Sequence, residues 1–188
     1  MQPIITQEHK GKKEKRNRII IGIILVGVML LSTAGYAFFG GEKSNVEKLD
    51  YKGIKFSLGD DGLWHFLIQE QEFATTNNPK ETENISSNIN LKINDYSQKV
   101  LYFSQDSDNQ GLQEIARNIE RFTTRMWKAC LDNCSEDLPI KNCSENIIII
   151  RESSESLIKQ EENCVYILFN ENDAIRASDA FIFKILGI

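Results

Sequence analysis

KVLYFSQDSDNQGLQEIARNIERFTTRMWKACL, residues 99–131, is the stretch on which the reading of the fold turns. Its opening, Lys99–Ser104, alternates along the chain as a strand with one buried face does. Asp106, Ser107, Asp108 or Asn109 can then cap a helix, since their short side chains accept from the first free N–H groups. Leu112, Ile115, Ile119, Phe122, Met126 and Cys130 recur at spacings of three and four, which predicts one long amphipathic helix over 110–131. The apolar run at Ile147 lies beyond a loop containing Pro139. A strand, a helix and a second strand in that order predict a parallel pair between Lys99–Ser104 and Ile147–Arg151.

Upstream, Leu49–Leu58 alternates, Gly59-Asp60-Asp61-Gly62 reads as a turn, and Leu63–Gln69 returns as the second strand of a hairpin. A short strand over Glu72–Thr75, a polar loop over 76–87 and a strand over Ile89–Ile93 follow. Downstream, Asn146–Glu152 and Asn163–Asn170 are apolar enough for a sheet interior, and Asp173–Leu186 forms a mostly apolar helix that must dock on something. Strands cluster early and helices come late. The fold class expected for residues 49–188 is therefore α+β, a mixed or mainly antiparallel sheet with two packed helices.

The 188 residues carry a net charge of −5, distributed unevenly. Residues 1–18 hold six basic and two acidic side chains, a net +4. Ile19–Phe39, IIIGIILVGVMLLSTAGYAFF, holds no charge over 21 residues. As a helix it would extend about 31 Å, the thickness of a bilayer core. Residues 40–188 carry a net −9. The basic flank predicts a cytoplasmic tail (1–18), a transmembrane signal anchor (19–39), a linker (40–48) and an extracytoplasmic domain (49–188) in the cell membrane. The alternative is a signal peptide cleaved after Ala37, which delivers the same domain to the same side. An acidic total argues against a nucleic-acid partner, which requires basic side chains to displace phosphate counterions.

Cys130, Cys134, Cys143 and Cys164 all lie in this domain, where an even number of cysteines reads as disulfides. Cys143 and Cys164 each adjoin an apolar run and can staple neighbouring strand ends, leaving Cys130 with Cys134. A four-cysteine zinc site is the rival, but the spacings lack paired C-x-x-C knuckles. Asn84, Asn133 and Asn142 each begin an N-x-[ST] tripeptide, the glycosylation acceptor pattern.

Sequence patterns for phosphate loops, zinc proteases and serine nucleophiles are absent. His65 is the single histidine beyond the basic tail, so no histidine-rich metal site is expected, and no cofactor. Asp106–Gly111 begins like a calcium loop but has Gln110 and Arg117 where the fifth and twelfth ligands belong; helix capping is the simpler role. On the expected long helix, Arg117, Arg121, Arg125 and Lys128 would form a basic stripe suited to an acidic partner or lipid headgroups. The plain alternative is a solvated face, with Glu114 and Glu120 nearby.

Taken together, the basic tail and apolar span, Tyr51-Lys52-Gly53-Ile54-Lys55-Phe56, Gly62-Leu63-Trp64, Glu114-Ile115-Ala116-Arg117-Asn118 and Glu136-Asp137-Leu138-Pro139 resemble a group of single-pass membrane proteins from small-genome archaea. Ile148-Ile149-Ile150-Arg151-Glu152, Asn163-Cys164-Val165 and Ala177-Ser178-Asp179-Ala180-Phe181 extend the resemblance over most of the chain. It implies an archaeal cell envelope and no particular activity. The expectation is a binding or scaffolding domain held at the envelope, with lipid bilayer and an envelope protein or glycan as partners. The alternatives are a hydrolase using acids such as Asp60, Asp61 or Glu136, and a thiol or metal protein using the four cysteines.

Overall fold

A computed structural model describes residues 7–39, 46–104, 106–131, 134, 137–171 and 173–188, with backbone alone for 7–14 and 32–39. The chain divides into two units, 1–45 and 46–188. The described part of the first is one helix, α1 (Gln7–Phe39), which begins inside the basic tail. Its described apolar residues from Ile19 to Leu31 are mostly exposed. Among the described residues no helix is long and apolar enough to cross a membrane; the described side chains of the apolar run stop at Leu31.

The second unit opens with an antiparallel meander of four strands in chain order: β1 (Lys48–Tyr51), β2 (Ile54–Leu58), β3 (Trp64–Ile68) and β4 (Gln71–Thr75). The segment expected as one strand, Leu49–Leu58, folds back on itself at Lys52-Gly53. Both residues take positive φ (52° and 81°), the twist that a two-residue hairpin loop needs and that glycine adopts without a Cβ penalty. Gln69 and Glu70 turn β3 into β4 in the same way. Phe56, Trp64, Phe66 and Phe73 fill the inner side of the meander.

The second sheet has six strands. Two short helices, α2 (Pro79–Thr82) and α3 (Ile93–Tyr96), flank β5 (Ser86–Asn88), so the strand expected over Ile89–Ile93 gives way to a buried Ile89 and a helical turn. β6 (Val100–Ser104), α4 (Asn109–Ile119) and β7 (Arg125–Ala129) form a β-α-β crossover. β8 (Ile147–Glu152), β9 (Leu157–Glu161), β10 (Cys164–Phe169) and α5 (Ala174–Leu186) complete the chain. The sheet order is β5-β9-β10-β8-β6-β7. β7, β6, β8 and β10 run parallel, while β9 pairs antiparallel with β10. The α+β class holds, with one antiparallel and one mixed sheet. The expected parallel pair is present, with Tyr102 opposite Ile147 and Phe103 opposite Ile148.

The long helix over 110–131 is corrected. α4 stops at Ile119, a 3-10 turn spans Glu120–Phe122, and Arg125–Ala129 is a strand. Met126 satisfies both periods, because in β7 it lies opposite buried Leu101 and packs against the same core as Ile115 and Ile119. The β-branched pair Thr123-Thr124 and the aromatic Trp127 favour a strand, and pairing with β6 decides the matter.

Leu101, Phe103, Ile148, Ile150, Val165 and Ile167 face α4 and α5 to form the main core. α5 is buried almost all round because it serves two layers. Phe181 enters the main core, and Phe183 packs against Phe56 and Phe66 of the meander. The C-terminal helix therefore joins the two sheets.

Candidate functional site: the second face of the six-stranded sheet

Alternate residues of a strand point to opposite faces. The face opposite α4 and α5 carries Trp127 from β7, Tyr102 from β6, Ile147 and Ile149 from β8, Cys164 and Tyr166 from β10, and Lys159 from β9. Ile147, Ile149 and Cys164 are buried there. Their shelter comes from Tyr102 and Tyr166 and from Leu131 and Cys143 of the loop after β7. Cys143 is bonded to Cys164, which holds that loop on the sheet, and Cys130 is bonded to Cys134 at the end of β7. This is the pairing that the positions beside the apolar runs suggested. It leaves no cysteine thiol for redox chemistry or zinc.

Three aromatic rings on this face each carry a cation. The Arg125 guanidinium lies 4.6 Å from the Trp127 ring centre, Lys141 Nζ 4.8 Å from Tyr102, and Lys159 Nζ 5.0 Å from Tyr166. Such contacts contribute about 0.5–1 kcal/mol each at exposed sites. Lys141 is also ion-paired with Glu145 at 2.6 Å, and together with the Tyr102 contact this holds its ammonium above the usual lysine range. Trp127 remains 51% exposed, unusual for so large an apolar side chain.

The expected basic stripe is dispersed. Arg117 is on α4 and makes two 2.9 Å hydrogen bonds to the Glu114 carboxylate. Arg121 follows α4, stacks on Phe73 and Phe122 and donates to the Glu72 carbonyl. Arg125 and Lys128 are on β7, one residue out of phase, and therefore face opposite sides of the sheet. A single face carrying all four required the helix that the strand replaces.

Of the three acids expected for hydrolysis, two are described. Asp60 and Asp61 are in the β2–β3 turn, and Glu136 lies outside the described residues. Asp61 accepts from His65 Nε2 at 3.0 Å while Glu72 meets Nδ1 at 3.1 Å. The ring is clamped between two carboxylates across β3 and β4. The hydrogen bond to Asp61 is the main cause of a raised His65 pKa, and the same bond lowers that of Asp61. Asp108 caps α4, accepting from Gln110 and Gly111 N–H at 2.8 and 2.9 Å, as the capping role required. Asp106 takes the Ser104 hydroxyl and pairs with Arg151 at 2.8 Å. Although burial opposes it, these contacts keep Asp106 below the usual carboxylate range. Among the described residues no group of histidine, cysteine and acid side chains is arranged to hold a metal ion.

Sequence reasoning missed a buried carboxyl pair among the described residues. Glu114 on α4 and Asp179 on α5 are 2% and 0% exposed. Glu114 accepts from Thr76 N–H and hydroxyl at 3.1 Å each, and Asp179 Oδ2 accepts from Asn77 N–H and Nδ2 at 2.8 Å each. Nearby, Asn118 bonds both backbone groups of Ala74. These side chains bind the exit of the meander to both helices. Their shielding from solvent suits a structural latch, since a catalytic acid must reach a substrate. An acid on an apolar helix, at Asp179, is the signal that pointed here.

Asn84 is exposed in the turn after α2, where its Oδ1 accepts from Arg176 Nη1 at 3.1 Å. Asn142 is exposed, and its Oδ1 accepts from both Ser144 N–H and Ser144 Oγ, so the tripeptide closes on itself. Asn133 lies outside the described residues. Comparison with models of protein families, with characterised proteins and with solved structures finds no match.

Proposed function

We propose that this chain is a binding module of the cell envelope, anchored by Ile19–Phe39 with its basic tail in the cytoplasm, and that the face around Trp127 contacts its partner. The half-exposed Trp127 beside Tyr102, on a sheet face sheltered by a loop rather than by a helix, is the observation that carries this reading. Large aromatics held half-open by a rigid sheet are the usual anchors of an interface. The two disulfides agree with an oxidising, extracytoplasmic setting. The resemblance to single-pass archaeal proteins points to the same location. The hydrolase alternative fares less well, because the carboxyl pair Glu114–Asp179 is sealed in the interior.

The test replaces Trp127 with the photoreactive p-benzoylphenylalanine in the full chain, followed by irradiation of intact cells and digestion with a protease that does not enter them. A membrane-retained adduct whose folded domain is cut from outside is the expected result. A domain protected from external protease overturns the topology, and a chain that never forms an adduct overturns the binding role.

A further inference from the structure

We infer that the free edge of β7 pairs with a second copy of this chain, the two β7 strands running antiparallel about Trp127. This rests on the binding role proposed above and names its partner. The direction of the backbone groups comes first. β7 ends its sheet, with β6 on one side and no strand on the other among the described residues. Tyr102 of β6 gives its N–H to the Asn146 carbonyl, toward β8. Successive residues of a parallel ladder turn to alternate sides, so Leu101 and Phe103 serve β7 and meet Arg125, Trp127 and Ala129 there. Met126 and Lys128 therefore direct N–H and C=O outward. Cys130 has the same phase, but its groups are taken: its N–H donates to the Pro139 carbonyl at 3.0 Å, and its carbonyl accepts from Lys141 N–H at 2.8 Å. At the other end, Thr124 turns its N–H in to the Lys99 carbonyl at 2.9 Å. The open edge is Met126 and Lys128.

Those limits select one register. Antiparallel strands bond through opposed residues that exchange both N–H···O=C bonds. With Met126 opposite Lys128 of the second copy, and Lys128 opposite its Met126, every outward N–H finds a carbonyl. A slip of two residues one way sets Lys128 against Lys128 and calls on Cys130; the other way it calls on Thr124. In the favoured register Trp127 meets Trp127 on the two-fold axis. Arg125 faces Ala129 and Lys128 faces Met126, so the cations that ordinarily guard an edge strand do not meet one another. Trp127 is 51% exposed and Ile140, beside Cys130 on the same edge, 66%. They are two of the four exposed large apolar side chains described in 46–188. A self-complementary two-fold contact covers the indoles against each other. A strand of five residues a side buries less than the roughly 1,200 Å² of a stable soluble complex. Anchoring both copies in one membrane, as proposed above, offsets this through effective concentration.

The experiment uses the full chain in cell membranes, oxidised with copper phenanthroline and resolved without reductant. Trp127→Cys places two thiols on the axis, with Cα atoms about 4.5 Å apart and within reach of a disulfide. A linked dimer that reductant returns to monomer is expected. Arg125→Cys, whose two copies stand about 13 Å apart along the strands, should stay monomeric. Lys128→Pro removes an outward N–H from each copy and spares the inner ladder. Added to Trp127→Cys, it should lower the dimer at least tenfold with the urea midpoint held. Equal linking through positions 125 and 127, or a dimer undiminished by Lys128→Pro, overturns the edge pairing. If proline unfolds the domain, copies with Met126→Cys mixed with copies with Lys128→Cys replace it. Linkage in the mixture and in neither alone is expected, and its absence overturns the register. If Trp127→Cys stays monomeric while the photoadduct at position 127 contains a different protein, this inference fails and the binding role stands. With neither dimer nor adduct, both fail.

Discussion

Asp179 on α5 is buried beside Glu114 on α4, and its Oδ1 atom is sealed from solvent without a hydrogen-bond partner. Two carboxylates in that position would repel in a medium that screens poorly, so one proton belongs to the pair. Burial, and after it the charge of Glu114, pushes Asp179 well above the usual carboxylate range. Arg117 lies 2.9 Å from Glu114.

The consequence for stability has a definite sign. Between the unfolded and the folded pKa the folded chain holds a proton at Asp179 that the unfolded chain has released, so stability falls as pH rises through the folded pKa. The contribution is fully present below the unfolded aspartate value near 3.9. Asp179→Asn reproduces the protonated form, with an amide donor toward Glu114 and a carbonyl toward Asn77. Its urea midpoint should be at least equal to wild type at alkaline pH, and the decline with rising pH should shrink. Identical slopes for both proteins would show that no proton is held. Glu114→Ala, by contrast, strips Thr76 and Arg117 of their partner and should cost about 3 kcal/mol, measured in the same titration.

His65 presents the opposite charge problem. With both ring nitrogens against carboxylates, the doubly protonated ring donates from Nε2 to Asp61 and from Nδ1 to Glu72. Its raised pKa means that the clamp contributes below the unfolded value near 6.5 and is lost as pH climbs through the folded one. The ring is partly exposed, so the effect on global stability is small. Imidazole NMR is the direct check: the titration midpoint should lie above 6.5 and move down in Asp61→Asn. A midpoint unmoved by that change would remove Asp61 as the cause.

Whether these partnerships were legible depended on how far apart in sequence they lie. Local signals read correctly: the Asp108 cap, the turn at Gly59–Gly62, and the apolar strands β8 and β10 beside Cys143 and Cys164. Met126 misled because a residue four beyond Phe122 suits a helix, while its strand neighbour Leu101 is invisible to periodicity. β9 was missed because Leu157 and Ile158 are followed by Lys159, Gln160 and Glu161, a polar run that pairing with β10 nevertheless holds in the sheet. The latch of Thr76 and Asn77 with Glu114 and Asp179 joins three segments, and its one local mark is the acid on the apolar helix α5. The aromatic face was hidden for the same reason as β7, since Trp127 joins Tyr102 only when both are strands.

The disulfides should contribute unequally. Cys143–Cys164 closes 21 residues of sequence separation and fixes the loop over Ile147, whereas Cys130–Cys134 closes four. Constraint of the unfolded chain grows with loop length, so the double change Cys143→Ser with Cys164→Ser should cost about 3 kcal/mol, and the other pair clearly less. Urea unfolding of the two double variants decides this. Equal losses would mean that the longer bond gains nothing from its loop.

Gly111 lies where α4 presses on α5. A Cβ built there would stand 2.7 Å from Ser178 Oγ, 3.0 Å from Ile150 Cγ2 and 3.3 Å from the Ala174 carbonyl oxygen. Alanine is the better helix former by about 1 kcal/mol, which alone would predict stabilisation. Overpacking costs about 1–3 kcal/mol, and two of the three obstacles are a β-branched core side chain and a backbone atom that cannot turn away. Gly111→Ala should therefore lose about 1 kcal/mol net. Ser178 Oγ is buried without a hydrogen-bond partner, so Ser178→Ala forfeits little and clears the closest contact. The double variant should recover part of the loss, giving a favourable coupling in a thermodynamic cycle. If the two changes simply add, Ser178 is not what Gly111 makes room for, and Ile150 and the α5 backbone set the spacing of the two helices.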